Sequence, residues 1–260
     1  MATEEQGSIR RRIEATGDDI ALFVERFDKF LSANLRRILR DLKSGKENAK
    51  QAAAILGSLR TALESAGLKE ELNKIDKIYG KQLNNIADTF RDIKEPGGIF
   101  SAADVDSLEA LINFDESVIA NKVYQVTDSL SSTIMRQVIT GARIDVDELI
   151  LNFGATAANQ ITTELNTATS GFYRSVTQSK AKELGVDFFA YVGPDDAITR
   201  PFCDERVNKI YTRAQIAKWD NGTNLPADVY GGGYNCRHDF LPMTKERAEE
   251  RIAGGAYKWG

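Results

Sequence analysis

Apolar residues in the first 183 positions recur at steps of three and four, the spacing that places them on one face of an α-helix. The first series predicts a helix from about residue 8 to 43, ended by Ser44-Gly45. Its members are Ile20, Val24, Phe27, Leu31, Leu35, Ile38 and Leu42. A second apolar series predicts a helix that ends at Gly67, because glycine readily takes the left-handed backbone that ends a helix. A third extends from Leu72 to Ile93, before the Pro96-Gly97 breaker.

A fourth predicted helix starts at a capping box. Ser101, with Asp104 three residues later, can satisfy the free N–H groups of a first helical turn. The apolar pattern that follows predicts a helix from about 102 to 140, with an interruption near 113–115. Gly141 is the predicted end, because glycine readily takes the left-handed conformation that closes a helix.

Asp145 with Glu148 repeats this start signal and predicts a last long helix that reaches at least Val176. Long amphipathic helices with short connectors are typical of a bundle, because each apolar face must be buried against another helix or a partner. We therefore assign residues 1–183 to a bundle of long amphipathic helices, which is extended if partners supply part of the burial.

The sequence changes character at about residue 184, and four of its five prolines lie after that point. β-Branched and aromatic residues predict strands at 187–192 and 209–211, and Thr212 caps a predicted short helix at 213–219. We assign residues 184–260 to a small α+β domain. The predicted fold class is mainly α, a long-helix bundle followed by a small α+β C-terminal domain.

Composition and charge exclude several functional classes. The chain is 42% hydrophobic, enough for a real core, and its net charge of -4 gives no general attraction to DNA or to an anionic membrane. The polar start Met1–Arg12 lacks a signal-peptide hydrophobic region, and no run reaches the length of a membrane span. We expect a soluble protein that is used without export and requires no membrane. The run Arg10-Arg11-Arg12 is expected to be a solvated helix start, and the alternative is a local contact with DNA phosphates.

Both cysteines and the one histidine of the chain lie near its C-terminus, at Cys203, Cys236 and His238. Residues two apart in a strand point to the same face, so Cys236 and His238 could both face Cys203 if the two segments pair as strands. These are ligand types that zinc accepts. The simpler interpretation is two packed thiols beside a hydrogen-bonded histidine, with no cofactor. The candidates for a fourth zinc ligand are Asp196, Asp204 and Asp239.

Asp196, Arg200 and Arg237 form a second candidate group. Asp196 and Arg200 can stabilise a proline-bounded loop, through an ion pair or through bonds to local backbone groups. The more specific alternative is that these three residues and His238 form one polar cluster for phosphate chemistry. In that cluster the imidazole is the general base and the arginines bind an anion.

Between about residues 160 and 243 a set of short motifs follows in a specific order. Its residues are Thr167, Thr169, Gly171, Arg174, Tyr191-Val192-Gly193-Pro194, Asp196, Thr199-Arg200-Pro201-Phe202-Cys203, Tyr211-Thr212, Gly231-Gly232-Gly233, Asn235-Cys236-Arg237-His238 and Pro242. This order resembles that of the phage Mu F-like minor head proteins, also called head morphogenesis proteins. Family members often carry histidine in place of Cys203 and cysteine in place of His238. These departures change the type of each side chain but keep it a metal-ligand type.

The resemblance implies a minor head protein of a tailed bacteriophage, a structural protein and not an enzyme. It implies assembly with the portal protein, the major capsid protein or scaffold, and sibling copies. It places the chain in the virion head, in the host cytoplasm during assembly, and in contact with phage DNA if it is packaged or ejected with the genome. Two alternatives stay open: a phosphate-chemistry enzyme, either a nuclease or a nucleotide-modifying toxin-like domain, that uses His238, and a DNA-binding ejection protein.

Overall fold

A computed structural model of the chain describes residues 4–91, 93 and 99–260. Within that part the chain is mainly helical, with long helices followed by a small four-stranded sheet near the C-terminus. The predicted fold class is thereby confirmed. The Pro96-Gly97 breaker lies outside the described residues.

The helices that precede the sheet are α1 to α7, with two short 3-10 helices among them. Their bounds are α1 Glu4–Leu39, a 3-10 turn at Lys46–Asn48, α2 Ala49–Gly57, α3 Leu59–Ser65, α4 Leu68–Leu72, a 3-10 turn at Asn73–Ile75, α5 Asp76–Thr89, α6 Ala102–Thr140 and α7 Val146–Glu183. The helix predicted up to Gly67 is divided at Ser58, whose hydroxyl donates to the carbonyl oxygen of Ile55 and competes with regular helical bonding. Gly67 has the predicted left-handed backbone, with φ of 99°.

Helix α6 has the bounds that the sequence predicted. The Ser101 N–H and hydroxyl both donate to Asp104, at 2.6 and 2.7 Å, and the Asp104 N–H donates back to the Ser101 hydroxyl. Gly141, with φ of 72°, ends the helix. The predicted interruption near 113–115 is wrong, because the helix continues there with Phe114 exposed on its surface. Helical hydrogen bonds do not depend on an apolar side chain at each position.

The C-terminal part alternates strands and short helices. Their bounds are β1 Phe188–Val192, α8 Pro201–Asp204, β2 Lys209–Thr212, α9 Arg213–Ile216, α10 Ala227–Tyr230, β3 Asp239–Met243, α11 Lys245–Ala253 and β4 Lys258–Trp259. The strand order is β3-β1-β2-β4, with β1 antiparallel to both neighbours and β4 parallel to β2. Both predicted strands are confirmed, and Thr212 with Gln215 forms the capping box of α9, which is shorter than predicted.

The chain divides into two compact units. The first, which we call the sheet unit, contains residues 1–19, 77–112 and 165–260. The second, the helical unit, contains residues 20–76 and 113–164. Helix α7 ends at Glu183, next to the domain boundary that the sequence predicts at 184. The sheet unit, however, also includes helical residues that precede this position. The domain boundary at 184 stays a prediction.

The helical unit buries most of the apolar residues that the sequence predicted, among them Phe27, Leu31, Leu35, Leu63, Ile134 and Val138. At the end of α1 the prediction is wrong, because Leu39 is buried while the predicted Ile38 and Leu42 are half-buried, and Val118 of α6 is 36% exposed. The Gly45 N–H donates to the Val138 carbonyl oxygen at 3.1 Å, so the connector after α1 is bonded to α6. The apolar periodicity in this unit is therefore a packing signal.

The core of the sheet unit lies on its sheet and includes a residue from the start of the chain. The buried cluster contains Ile9, Ala190, Val192, Ile210, Leu241, Met243, Ala248 and Tyr257. Ile9 belongs to α1, and its side chain is only 7% exposed. The first turns of α1 thus contribute to the same core as the strands.

Candidate metal centre

Three side chains of metal-ligand type converge inside the sheet unit. The Cys203 and Cys236 sulfurs are 3.8 Å apart, and a nitrogen of His238 lies within 4.8 Å of both. All three residues are buried. The predicted strand pairing is wrong, because Cys203 belongs to α8 and the Cys236–His238 segment precedes β3 without being part of it. The residues meet because α8 packs against the connection between α10 and β3.

Glycines leave the space that this packing needs. A Cβ on Gly232 would lie 2.6 Å from the Cys203 sulfur, closer than any side chain tolerates. A Cβ on Gly193 would lie 2.6 Å from Cδ2 of His238. The backbone at these two positions therefore approaches the cluster directly, and a side chain at either would displace it.

Tyr191, on the central strand β1, covers the cluster. Its hydroxyl oxygen lies 3.3 Å from the Cys203 sulfur and 3.5 Å from the Cys236 sulfur. Its ring stacks on the imidazole of His238, with 5.2 Å between centroids and 14° between planes. Tyr191 thus contacts all three candidate ligands at once. Tyr191 is among the residues that carry the family resemblance, but the sequence predicted no role for it in the site.

Arg174 of α7 holds the segment that carries two of the candidate ligands. Its guanidinium donates to the carbonyl oxygens of Cys236, at 2.7 Å, and His238, at 2.8 Å. The side chain is only 1% exposed and lies 3.4 Å from a carboxylate oxygen of Asp239. A buried arginine that bonds planar acceptors in this way fixes the backbone of the segment.

The two thiols differ in their readiness to ionise. A hydrogen bond from Cys203 lowers the pKa of the Cys236 thiol well below its usual value, and the positive charge of Arg174 acts in the same direction. The same hydrogen bond and burial raise the pKa of Cys203. Of the two thiols, Cys236, which lies near the buried guanidinium, is therefore the one that ionises more readily.

Asp196 and Arg200 do not pair with each other. Asp196 instead accepts two bonds from Arg237, at 2.6 and 2.8 Å, and this pairing lowers the pKa of the Asp196 carboxyl below its usual range. Arg200 donates to the carbonyl oxygens of Gly232 and Tyr234, at 3.0 and 2.5 Å. Both arginines are thus engaged within the protein.

A cleft of about 620 Å³ lies beside this group in the sheet unit. Its lining includes Arg10, Arg12, Asp196 and Arg237, and the lining residues do not include His238. The imidazole is 3% exposed. The predicted phosphate cluster is therefore not gathered in this cleft, because its proposed base is buried and does not line it.

The three arginines near the start of α1 have different environments, since two are exposed and the third is largely buried. Arg10 and Arg11 are exposed. Arg12 bonds Asp239 at 2.6 Å, and its guanidinium lies 3.9 Å from the centroid of the Tyr173 ring. The side chain of Arg12 is 13% exposed, so it is engaged with the protein and offers little surface to a DNA phosphate.

The aspartates considered as a fourth ligand lie outside the cluster. Among the described residues, the ligand group consists of Cys203, Cys236 and His238. Asp196 is paired with Arg237, and Asp239 with Arg12. Asp204 follows Cys203 in α8 and is exposed.

Comparison of the chain with known protein families, curated proteins and solved structures gives no match. In the part of the chain that the structure describes, no helix combines the length and the hydropathy that crossing a membrane requires.

Proposed function

We propose that this chain is a minor head protein of a tailed bacteriophage, with a structural role in assembly at the portal and shell. The observation that supports it is the spatial grouping of the residues that carry the family resemblance. Two parts of the motif, Arg174 and the Cys236–His238 segment, lie more than 60 positions apart, yet Arg174 binds the carbonyl oxygens of Cys236 and His238. Motifs that match by chance along a sequence have no reason to share one buried cluster.

Other motif residues make contacts in the same region. The Asn235 N–H donates to the Thr167 hydroxyl at 3.2 Å, which bonds the threonine-rich part of α7 to the Cys236 segment. A Cβ on Gly171 would lie 3.0 Å from the ring of Tyr230, so α7 approaches α10 closely at that glycine. These motif residues thus attach α7 to the segment that carries Cys236 and His238.

The proposed role is structural because the polar residues of the cluster face the interior. A general base must reach the proton it removes, and His238 is enclosed under Tyr191. Arg200 and Arg237 are bonded to protein acceptors, so a substrate anion would have to displace those bonds. The proposed partners are the portal protein, the major capsid protein or scaffold, and sibling copies, with phage DNA as a further contact if the chain travels with the genome.

The test is the location of the chain and the consequence of its loss. Density-gradient-purified particles from the phage that encodes the chain should contain it at a fixed copy number, measured by quantitative mass spectrometry. An in-frame deletion should give defective or non-infectious heads, and the wild-type chain supplied in trans should restore them. Infectious particles of normal yield that lack the chain would overturn the proposal.

A further inference from the structure

We propose that Cys203, Cys236 and His238 bind a zinc ion, with the Tyr191 hydroxyl oxygen at the fourth vertex. The separation of the two sulfurs is that of a zinc site. Zinc bound tetrahedrally to two thiolates at about 2.3 Å separates the sulfurs by about 3.8 Å. The Cys203 and Cys236 sulfurs are already 3.8 Å apart.

The position of Tyr191 fits the same tetrahedron. An oxygen ligand at about 2.0 Å from zinc would lie about 3.5 Å from each thiolate sulfur. The Tyr191 oxygen lies 3.3 and 3.5 Å from the two sulfurs. Both separations match the edge of a coordination tetrahedron, so the ion would fit between the two sulfurs and the Tyr191 oxygen with little movement of these three atoms.

The imidazole of His238 also favours a bound cation. Nε2 of His238 is buried and has no hydrogen-bond partner among the described residues. Burial of an unsatisfied ring nitrogen is unfavourable, and coordination of a cation would remove that cost.

The surroundings match those of a structural metal site. Arg174 bonds the carbonyl oxygens of Cys236 and His238, and the Gly232 N–H donates to the Cys236 sulfur at 3.2 Å. Such outer contacts orient ligands and hold them in place. Two thiolates balance the two charges of Zn²⁺, while the neutral imidazole and hydroxyl complete the site. Zinc, which takes mixed nitrogen and sulfur ligands, suits this set better than magnesium or calcium, which take oxygen ligands.

Metal content tests the proposal on the full chain. Protein expressed with added zinc should contain one zinc per chain by elemental analysis. Removal of zinc with a chelator should lower Tm, and Zn²⁺ should restore it where Mg²⁺ does not. Co²⁺ in place of zinc should give the absorption of a tetrahedral thiolate site. Metal-free protein with two free thiols, or with a Cys203–Cys236 disulfide, would overturn the proposal.

Substitutions assign the ligands. Cys203→Ser and His238→Gln should each lower zinc affinity at least tenfold in competition with a chromogenic chelator. Asp204→Asn, which changes the exposed neighbour of Cys203, is the matched control and should leave affinity unchanged. Tyr191→Phe should weaken binding and alter the Co²⁺ spectrum, and an unaltered spectrum would overturn the assignment of Tyr191. If a variant does not fold, the Co²⁺ spectrum of the wild-type chain still decides whether the site exists.

Discussion

At the scale of single residues, Gly232 is one of the positions where the cluster leaves no room for a side chain. A Cβ there would lie 2.6 Å from the Cys203 sulfur and 3.4 Å from the Phe202 ring. We expect Gly232→Ala to push α8 away from the Cys236 segment and to lower the free energy of unfolding by about 1 to 3 kcal/mol, the usual cost of overpacking. Urea denaturation of the variant and the wild type measures this difference.

Gly80 is the matched control, because it is exposed in α5 and a Cβ there would meet nothing within 4 Å. Alanine is the better helix former, so Gly80→Ala should raise the free energy of unfolding by about 0.5 to 1 kcal/mol. Equal effects of the two substitutions would contradict the close contact at Gly232.

At the scale of elements, the start of α6 is bonded to α7 as well as capped. Asp104 accepts from Ser101 and from Lys180 of α7, the latter at 2.6 Å. The bond from Lys180, followed by those from Ser101, lowers the pKa of Asp104 to about 2. Asp104 therefore stabilises the fold above the ordinary pKa of 3.8, and this contribution is lost as the pH falls through about 2.

Asp104→Asn should lower the free energy of unfolding by about 1 kcal/mol at neutral pH, the usual value of an N-terminal cap. It should also flatten the loss of stability between pH 4 and pH 2, which is measured by denaturation over that range. Asp106→Asn, at an exposed position two residues later in α6, should change neither quantity. If the pH profile of Asp104→Asn matched that of the wild type, the proposed pairing with Lys180 would be refuted.

A second pH effect arises within the helical unit, where Glu116 of α6 meets Asp76 at the start of α5. Burial, followed by a hydrogen bond with Asp76, raises the pKa of Glu116 to about 7, against a smaller opposing effect of Lys69. The folded state thus keeps a proton that the unfolded state has lost. Stability from this group is complete below pH 4.5 and falls as the pH rises through about 7.

Glu116→Gln should abolish this slope and raise the free energy of unfolding above pH 7 by about 1 kcal/mol at most, because solvent screens a partly exposed pair. The measurement is chemical denaturation from pH 4 to pH 8. Glu109→Gln, at an exposed site in the same helix, should keep the wild-type slope. A wild-type stability that does not fall across that range would rule out the shared proton.

Sequence reasoning predicted those features whose causes are local. The bounds of α6 follow from a capping box at Ser101 and a left-handed Gly141, both readable within a few residues. The candidate ligands were also named, since only two cysteines and one histidine are available. Their geometry was not, because it depends on how α8 packs. The role of Arg174 was missed for the same reason: its acceptors at Cys236 and His238 lie more than 60 residues away, and no local pattern marks a buried arginine.

At the scale of the whole molecule, the hydrophobic core of the sheet unit contains residues from both the N-terminal and the C-terminal part of the chain. Ile9 of α1 packs in the cluster on the sheet, and Arg12 bonds Asp239 at the start of β3. Arg174 of α7 pairs with the other carboxylate oxygen of the same aspartate, at 3.4 Å. A fragment of residues 184–260 would lack all three side chains and would leave Asp239 buried without either arginine.

We therefore expect the fragment 184–260 to lack stable tertiary structure, although the sequence alone predicts a domain there. Adding residues 160–183 restores Arg174 and the helix that meets the Cys236 segment, so the fragment 160–260 should be more ordered but still less stable than the full chain. Amide hydrogen exchange and two-dimensional NMR of both fragments measure this order. Cooperative unfolding of the fragment 184–260 at the stability of the full chain would contradict the expectation.

In the intact chain, Ile9 is the side chain of α1 that contributes to the sheet core. Ile9→Ala removes a buried side chain from the sheet core and should lower the free energy of unfolding by about 2 to 5 kcal/mol. Leu22→Ala, in the same helix but 46% exposed, should cost less than about 1 kcal/mol. Hydrogen exchange locates the effect: Ile9→Ala should increase exchange in β1 and β3, more than 170 residues away in sequence. If only the first turns of α1 exchanged faster, that helix end would be an attachment to the sheet and not part of its core.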